Sequence, residues 1–150
     1  MEQTLVLIKP DSVQRGLVGE ILRRFERKGL KLVAMKMVKL KDAVLKEHYA
    51  HVVDEPFFAD LSHFMSSSPL VAMVLEAPNA VEIVRKIAGD KYELGSVRGD
   101  FAGSFQLDGP RNVIHSSDSI ETAEREIDRF FDESEIFDYD KNEWKHIFKG

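Results

Sequence analysis

The chain contains no cysteine, which excludes a disulfide framework and any thiolate metal site. It has no apolar run approaching the roughly 18 residues of a membrane span. The N-terminal Met1-Glu2-Gln3-Thr4 lacks the basic segment of a signal peptide, and only the short apolar run Leu5 to Ile8 follows it. A soluble cytoplasmic protein is therefore expected. Positive charge is also short: 21 Lys and Arg stand against 26 Asp and Glu, a net charge of −5, so broad binding to nucleic acid or anionic membranes is not expected. No Walker loop and no Gly-x-Gly-x-x-Gly is present, so a phosphate site would have to be built from charged side chains. Linkers and low-complexity segments are missing too, and the 150 residues read as one domain, 1–150, large enough for a single buried core.

What is present alternates in period. Thr4 to Ile8 is nearly all apolar, as in a central strand buried on both faces, and Lys9-Pro10-Asp11 ends it. Leu17, Val18, Ile21, Leu22 and Phe25 recur at helical spacing, with Gly29 as the stop. Leu30 to Leu40 alternates as a long strand. Asp42 is placed to cap a helix carrying Leu45, His48, Tyr49 and Val52 on one side, and Pro56 to begin another with Phe57, Phe58, Leu61, Phe64 and Met65. Leu70 to Leu75 reads as a strand, and Asn79 with Glu82 opens a helix that stops at Gly89. An irregular, Gly-rich stretch runs from Gly89 to Arg111. Val113-Ile114 is then a short strand, Asp118 and Glu121 are spaced as a capping box, and Ile120 to Phe131 form the last long helix. Setting aside the helices between strands two and three, the order is βαβ followed by βαβ. That is an α+β, ferredoxin-like split-βαβ sandwich, a four-stranded antiparallel sheet with helices on one face. The tail from Ser134, with Tyr139 and Trp144, is expected to lie over the domain or a neighbouring subunit.

This plan serves RNA-binding, regulatory and catalytic domains alike, so the polar residues must decide. His115 falls at the junction of the Val113-Ile114 strand and the last helix, where a histidine is ordinarily a surface residue. Cations interrupt apolar elements at Lys9, Arg85 and Arg98. Each has a plain explanation: a strand-end charge for Lys9, a snorkelling side chain for Arg85, an ion pair with Asp100 for Arg98. Glu126 borders the buried stripe of the last helix, where an ion pair with Arg129 would account for it. Arg98-Gly99-Asp100-Phe101-Ala102-Gly103-Ser104-Phe105 loosely echoes the sheet motif of an RNA-binding module, although Asp100 takes an aromatic position. A regulatory domain holding a small ligand is a third possibility. The remaining histidines, His48, His51, His63 and His146, read as structural or exposed, with no metal-ligand cluster.

Several blocks in one order carry a resemblance: Ile8-Lys9-Pro10-Asp11, Arg15-Gly16-Leu17-Val18-Gly19-Glu20-Ile21, Glu47-His48-Tyr49, Pro56-Phe57-Phe58, Arg98-Gly99-Asp100-Phe101 and Asn112-Val113-Ile114-His115-Ser116-Ser117-Asp118-Ser119. From end to end the chain resembles the nucleoside diphosphate kinases. The resemblance implies transfer of the γ-phosphate of a nucleoside triphosphate, typically ATP, to a nucleoside diphosphate, by a ping-pong route through a phosphohistidine on His115. It implies that Lys9, Arg85 and Arg98 hold the phosphates, that Asn112 contacts sugar and phosphate, and that Tyr49 bonds near the phosphates. It further implies that the base stacks on Phe57, giving broad base specificity, and that Ser117 and Glu126 orient the imidazole. Magnesium is expected to arrive with the nucleotide, bound mainly to phosphate oxygens and water. The partners implied are nucleoside triphosphates and diphosphates and further copies of the chain, as dimer, tetramer or hexamer. The chain departs from the family in three places. Ser116 stands where Gly or Ala usually follows the histidine; the Gly89 to Val97 loop is shorter and holds no recognisable family threonine; and Ala102 to Pro110 is longer, with room for a hairpin.

Overall fold

A computed structural model describes residues 1–102 and 111–140. Strands β1 (Glu2–Ile8), β2 (Lys31–Val38), β3 (Leu70–Ala77) and β4 (Ile114–Ser116) form one antiparallel sheet in the order β2-β3-β1-β4. This is the ferredoxin-like order that the βαβ repeat predicts. The helices are α1 (Pro10–Gln14), α2 (Val18–Lys28), α3 (Asp42–His48), α4 (Phe58–Ser66), α5 (Ala80–Ala88), α6 (Val97–Phe101) and α7 (Ile120–Phe130).

Strand β1 is central, and its apolar half is covered on both sides, with Leu5, Val6, Leu7 and Ile8 fully buried. Side chains of a strand alternate between faces. Val6 and Ile8 pack with Ile21 and Phe25 of α2 and Val84 of α5. Leu5 and Leu7 pack instead with Leu45 of α3, Leu61 and Met65 of α4, and Ile127 and Phe130 of α7. Helices thus cover both faces, not one as the bare ferredoxin-like plan suggests, because the inserted α3 and α4 carry apolar stripes of their own to bury. His115 pairs with Leu7 in the β1–β4 register and so shares Leu7's face, the side covered by α3, α4 and α7.

Most element boundaries follow local chemistry. Gly29 ends α2 at φ +101°, a left-handed cap open to glycine. Asp42 is the first residue of α3 instead of its cap, and pairs with Lys46 one turn on at 2.9 Å. Helix α3 stops at His48, a short 3-10 turn spans Ala50–Val52, and Pro56 lies in the turn before α4. The supposedly irregular stretch contains α6, which starts where the Ser96 hydroxyl accepts from Gly99 N. The tail lies along the edge strand β2: Phe137 N donates to Val33 O at 2.9 Å and the Tyr139 hydroxyl to Leu32 O at 2.5 Å. The expected hairpin at Ala102 to Pro110 and Trp144 lie, beyond Ala102, outside the described residues. Among the described residues no helix is long and apolar enough to cross a membrane.

Candidate active site

Helix α7 brings Glu126 under β4. Its position on the buried stripe, next to Ala123, Ile127 and Phe130, leaves the carboxylate buried. One oxygen accepts from the Ser117 hydroxyl at 2.6 Å and the other lies 2.8 Å from His115 Nε2. An ionised carboxylate only accepts, so His115 Nε2 carries the proton and the lone pair of the neutral ring sits on Nδ1. Burial opposes the charge on Glu126. The hydrogen bond and attraction from His115, with the Ser117 bond, outweigh it and hold the carboxyl below its ordinary range. Arg129 does not pair with Glu126: its Nη1 donates to His48 Nδ1 at 2.8 Å and its Nε lies 3.3 Å from Glu47.

His48 is the site neighbour that its sequence context did not single out. It is buried, its ring meets that of His115 edge-on at 4.8 Å, and its Nδ1 lies 3.5 Å from Glu126. Burial first, then the electrostatics of its neighbours His115 and Arg129, depress its pKa to about 3, so it stays neutral. The signal available was its place on the apolar side of α3 beside Leu45. His48, His115 and Glu126 have ligand atoms within 4.8 Å of one another, a grouping with the site histidine and not with His51 or His63. The Arg129 guanidinium already binds His48 Nδ1, a fixed positive charge that opposes a metal ion there.

The cations converge on the same cavity, about 660 Å³, lined by Tyr49, Arg85, Arg98, Asn112, His115 and Asp118 among others. A smaller one of about 230 Å³ adjoins it between Lys9, Tyr49, Phe57 and His115. The nine residues proposed from sequence thus lie together: eight line these two cavities, and the ninth, Ser117, bonds Glu126. Arg98 does not pair with Asp100, which binds Arg24 at 2.7 Å. Instead it donates to Gly89 O, Asn112 O and Ile114 O at 3.0, 3.3 and 2.8 Å, and a guanidinium has five N–H groups, so donors remain. A Cβ on Gly99 would overlap the Glu93 carbonyl, so only glycine lets the short loop pass against α6 and seat Arg98. Ser96, in the loop lacking the family threonine, spends its hydroxyl on Glu93 O and Gly99 N. Phe57 is 52% exposed and can offer a ring face to solvent. Burial pushes the Tyr49 phenol up, so it stays protonated as a donor.

The backbone turns sharply just before β4, between Asn112 and His115, which both line the cavity. Val113 was expected in the strand; it has φ +78°, and Ile114 N donates to Asn112 O at 2.9 Å, a three-residue γ-turn. For a β-branched residue this conformation costs about 1–3 kcal/mol. Ser116 follows His115 in β4 and pairs with Val6, so its side chain leaves on the opposite face and does not crowd the imidazole. The capping box is also different: Ser119, not Asp118, caps α7 by accepting from Thr122 N at 3.1 Å, which leaves Asp118 exposed on the cavity rim. Since Arg98 to Phe101 lie in α6 and not on the sheet, the RNA-binding reading of that motif loses its geometry.

Lys9 ends β1 and is 6% exposed, with Nζ 2.5 Å from Asn112 Oδ1. Burial, then Arg98, lower its pKa from 10.5 to about 8, against the pull of Asp11. The folded pKa lies below the unfolded one, so the charged form costs stability up to about pH 8, and that cost is relieved as pH rises from there toward 10.5. A bound phosphate would favour the charged form. Nucleotide binding near pH 8.5 is therefore expected to take up protons, measurable by calorimetry in buffers of different ionisation enthalpy, and kcat/KM is expected to fall as pH passes about 8.

Comparison with known proteins agrees with this geometry. Residues 2–136 match the family model described as nucleoside diphosphate kinase. The nucleoside diphosphate kinase of Archaeoglobus fulgidus is 46% identical over 149 residues, 99% of each chain, and that of Pyrococcus abyssi 49% over 153 residues, 99% of this chain and 96% of that protein. Among solved structures, a nucleoside diphosphate kinase family protein from Babesia bovis superposes with a TM-score of 0.88 at 39% identity, covering 99% of this chain and 100% of that one. The halophilic nucleoside diphosphate kinase from Halobacterium salinarum, solved in complex with CDP, gives 0.87 at 40% identity, covering 99% of both. A histidine backed by a buried carboxylate, cations gathered on one cavity, and likeness along the whole chain in both sequence and fold place this chain in the nucleoside diphosphate kinase family.

Proposed function

We propose that His115 carries the γ-phosphoryl group from a nucleoside triphosphate, typically ATP, to a nucleoside diphosphate in two steps at one site. The observation that carries this reading is the Glu126 contact at 2.8 Å, which commits Nε2 to a proton and leaves Nδ1 as the nucleophile. In the first step the Nδ1 lone pair forms the N–P bond while the bond from phosphorus to the β,γ-bridging oxygen breaks, and the diphosphate leaves. In the second, a terminal oxygen of another diphosphate attacks the same phosphorus and returns the electron pair to Nδ1. Glu126 offsets the positive charge that the ring gains as the N–P bond forms.

Lys9, Arg85 and Arg98 balance the phosphate charge. Arg85 suits that role because it lines the cavity without an ion-pair partner among the described residues. Asn112 gives its Oδ1 to Lys9 and keeps its amide hydrogens for the sugar or phosphate. Tyr49 donates near the phosphates, and Phe57 offers a ring face on which any base can stack, consistent with broad base specificity. Magnesium would be held by phosphate oxygens and water, with exposed Asp118 the carboxylate that fits its outer shell; when bound it neutralises phosphate charge. We place the enzyme in the cytoplasm, acting on free nucleotides as a homo-oligomer. The tail covers β2 at Leu32 and Val33, but Met35 and Met37 stay 42% and 61% exposed on this edge strand, a surface a second copy would cover. Sedimentation is expected to show more than one copy per particle.

Incubating the protein with γ-labelled ATP and magnesium should give an acid-labile, base-stable label that maps to His115, with phosphorus NMR placing it on Nδ1. Label elsewhere, or none on folded protein, would overturn the reading.

A further inference from the structure

We infer that Ser12, which touches neither the cavity nor His115, is a positioning residue whose buried hydroxyl holds the γ-turn at Val113 and through it the spacing of Asn112 and His115. The inference rests on His115 being the phosphorylated residue. Side chains on a regular strand alternate, so residues three apart face opposite sides. Asn112 and His115 are three apart and both line the nucleotide cavity, as does Ser116, so the cavity takes residues from both faces at this end of the sheet. The turn at Val113, with φ +78°, sets the direction in which Asn112 reaches that cavity relative to His115.

Such a turn does not hold itself together. Valine at positive φ is strained, and the turn's own bond, Ile114 N to Asn112 O, spans only three residues. The restraint comes from elsewhere in the chain. Val113 O accepts from the Ser12 hydroxyl at 2.8 Å and from Lys9 N at 3.0 Å, which together use both of its lone pairs. Arg98 grips the carbonyls on either side, Asn112 O and Ile114 O. The Val113 side chain is fully buried in the α2–α5 core and cannot swing out to relieve the strain.

Of these restraints only the Ser12 bond belongs to a side chain with no other hydrogen-bond partner among the described residues and no place at the cavity. Ser12 is fully buried in α1, one turn beyond Lys9, and its contact crosses 101 residues of sequence. It therefore ties the Lys9 end of β1 to the Asn112 end of β4, the two ends of the Lys9–Asn112 contact. Loss of the hydroxyl would leave a buried carbonyl with one partner and a strained turn free to relax toward a regular strand, which changes the direction in which Asn112 reaches the cavity relative to His115.

The test is a double-mutant cycle of Ser12→Ala and Val113→Gly, following His115 phosphorylation in single turnovers and the nucleotide Kd, with folding checked by thermal unfolding. Ser12→Ala is expected to slow phosphorylation at saturating ATP by about tenfold, the equivalent of about 1.4 kcal/mol. The nucleotide Kd is expected to rise less, since Lys9, Arg85 and Arg98 stay in place. Glycine takes positive φ without strain, so in the Val113→Gly background the further loss from Ser12→Ala should fall below about twofold. Should Ser12→Ala fail to fold, Ser12→Cys, nearly isosteric with a weak donor, replaces it in the same cycle. An equal loss in both backgrounds, or no loss in either, overturns the positioning role. Absence of label on wild-type His115 would instead overturn the phosphohistidine reading itself.

Discussion

Replacing His115 with alanine is expected to abolish phosphoryl transfer, lowering turnover by on the order of 10⁴-fold or more. Among the described residues nothing else near the Glu126 carboxylate can substitute. His48 is the nearest imidazole, but Arg129 occupies its Nδ1 and burial keeps the ring inside the protein. Ser117 spends its hydroxyl on Glu126 at 2.6 Å, and the Ser116 side chain leaves on the far face of β4. The measurement that separates mechanisms is the release of ADP and the retention of label when the protein meets γ-labelled ATP with no diphosphate present. A two-step route gives a labelled protein that the variant loses, whereas direct transfer between two bound nucleotides leaves the protein unlabelled. Stability should fall modestly: the His115 side chain is 24% exposed and fills little of the core, but the buried Glu126 carboxylate keeps only its Ser117 bond.

Glu126→Gln is expected to slow the reaction by about 10²–10³-fold while leaving nucleotide affinity nearly unchanged. The carboxylate accepts two bonds, from His115 and from Ser117, whereas an amide has one oxygen. If that oxygen faces Ser117, the NH₂ faces Nε2 and drives the ring proton onto Nδ1, the attacking atom. If it faces His115, the tautomer survives but the negative charge that balances the ring is gone. Either arrangement acts on the chemical step, so kcat should fall and KM should not rise in step. A proportionate rise in KM would mean that Glu126 shapes the nucleotide site instead. Stability supplies a second readout with a definite sign. The folded pKa of Glu126 is depressed, so wild type holds an advantage over the variant above the ordinary carboxylate range, lost as pH falls from that range through the lower folded value.

Much of this was legible along the chain because burial is written as periodicity. The apolar run of β1, the helical spacing of α2 and α7, and the βαβ repeat suffice for the sheet order. The border position of Glu126 on the α7 stripe and the apolar-side position of His48 on α3 were visible, but not what either would touch. The helix α6 was hidden in a Gly-rich stretch because its start depends on one serine hydroxyl bonding Gly99 N, too little for a periodic pattern. Asp118 and Ser119 are both good caps, and only the backbone at β4's end decides that Ser119 takes the role.

The sequence by itself determined the family, the fold class and the residues that gather at the site, since hydrophobic spacing and motif order are local properties of the chain. The tertiary structure alone decided that helices close both faces of the sheet and that His115 points toward α7, because facing follows strand register, which sequence spacing leaves open. It alone set Asn112 and His115 on one cavity. The turn between them is held against its strain by Ser12, Lys9 and Arg98, which are distant in sequence and meet only in the fold.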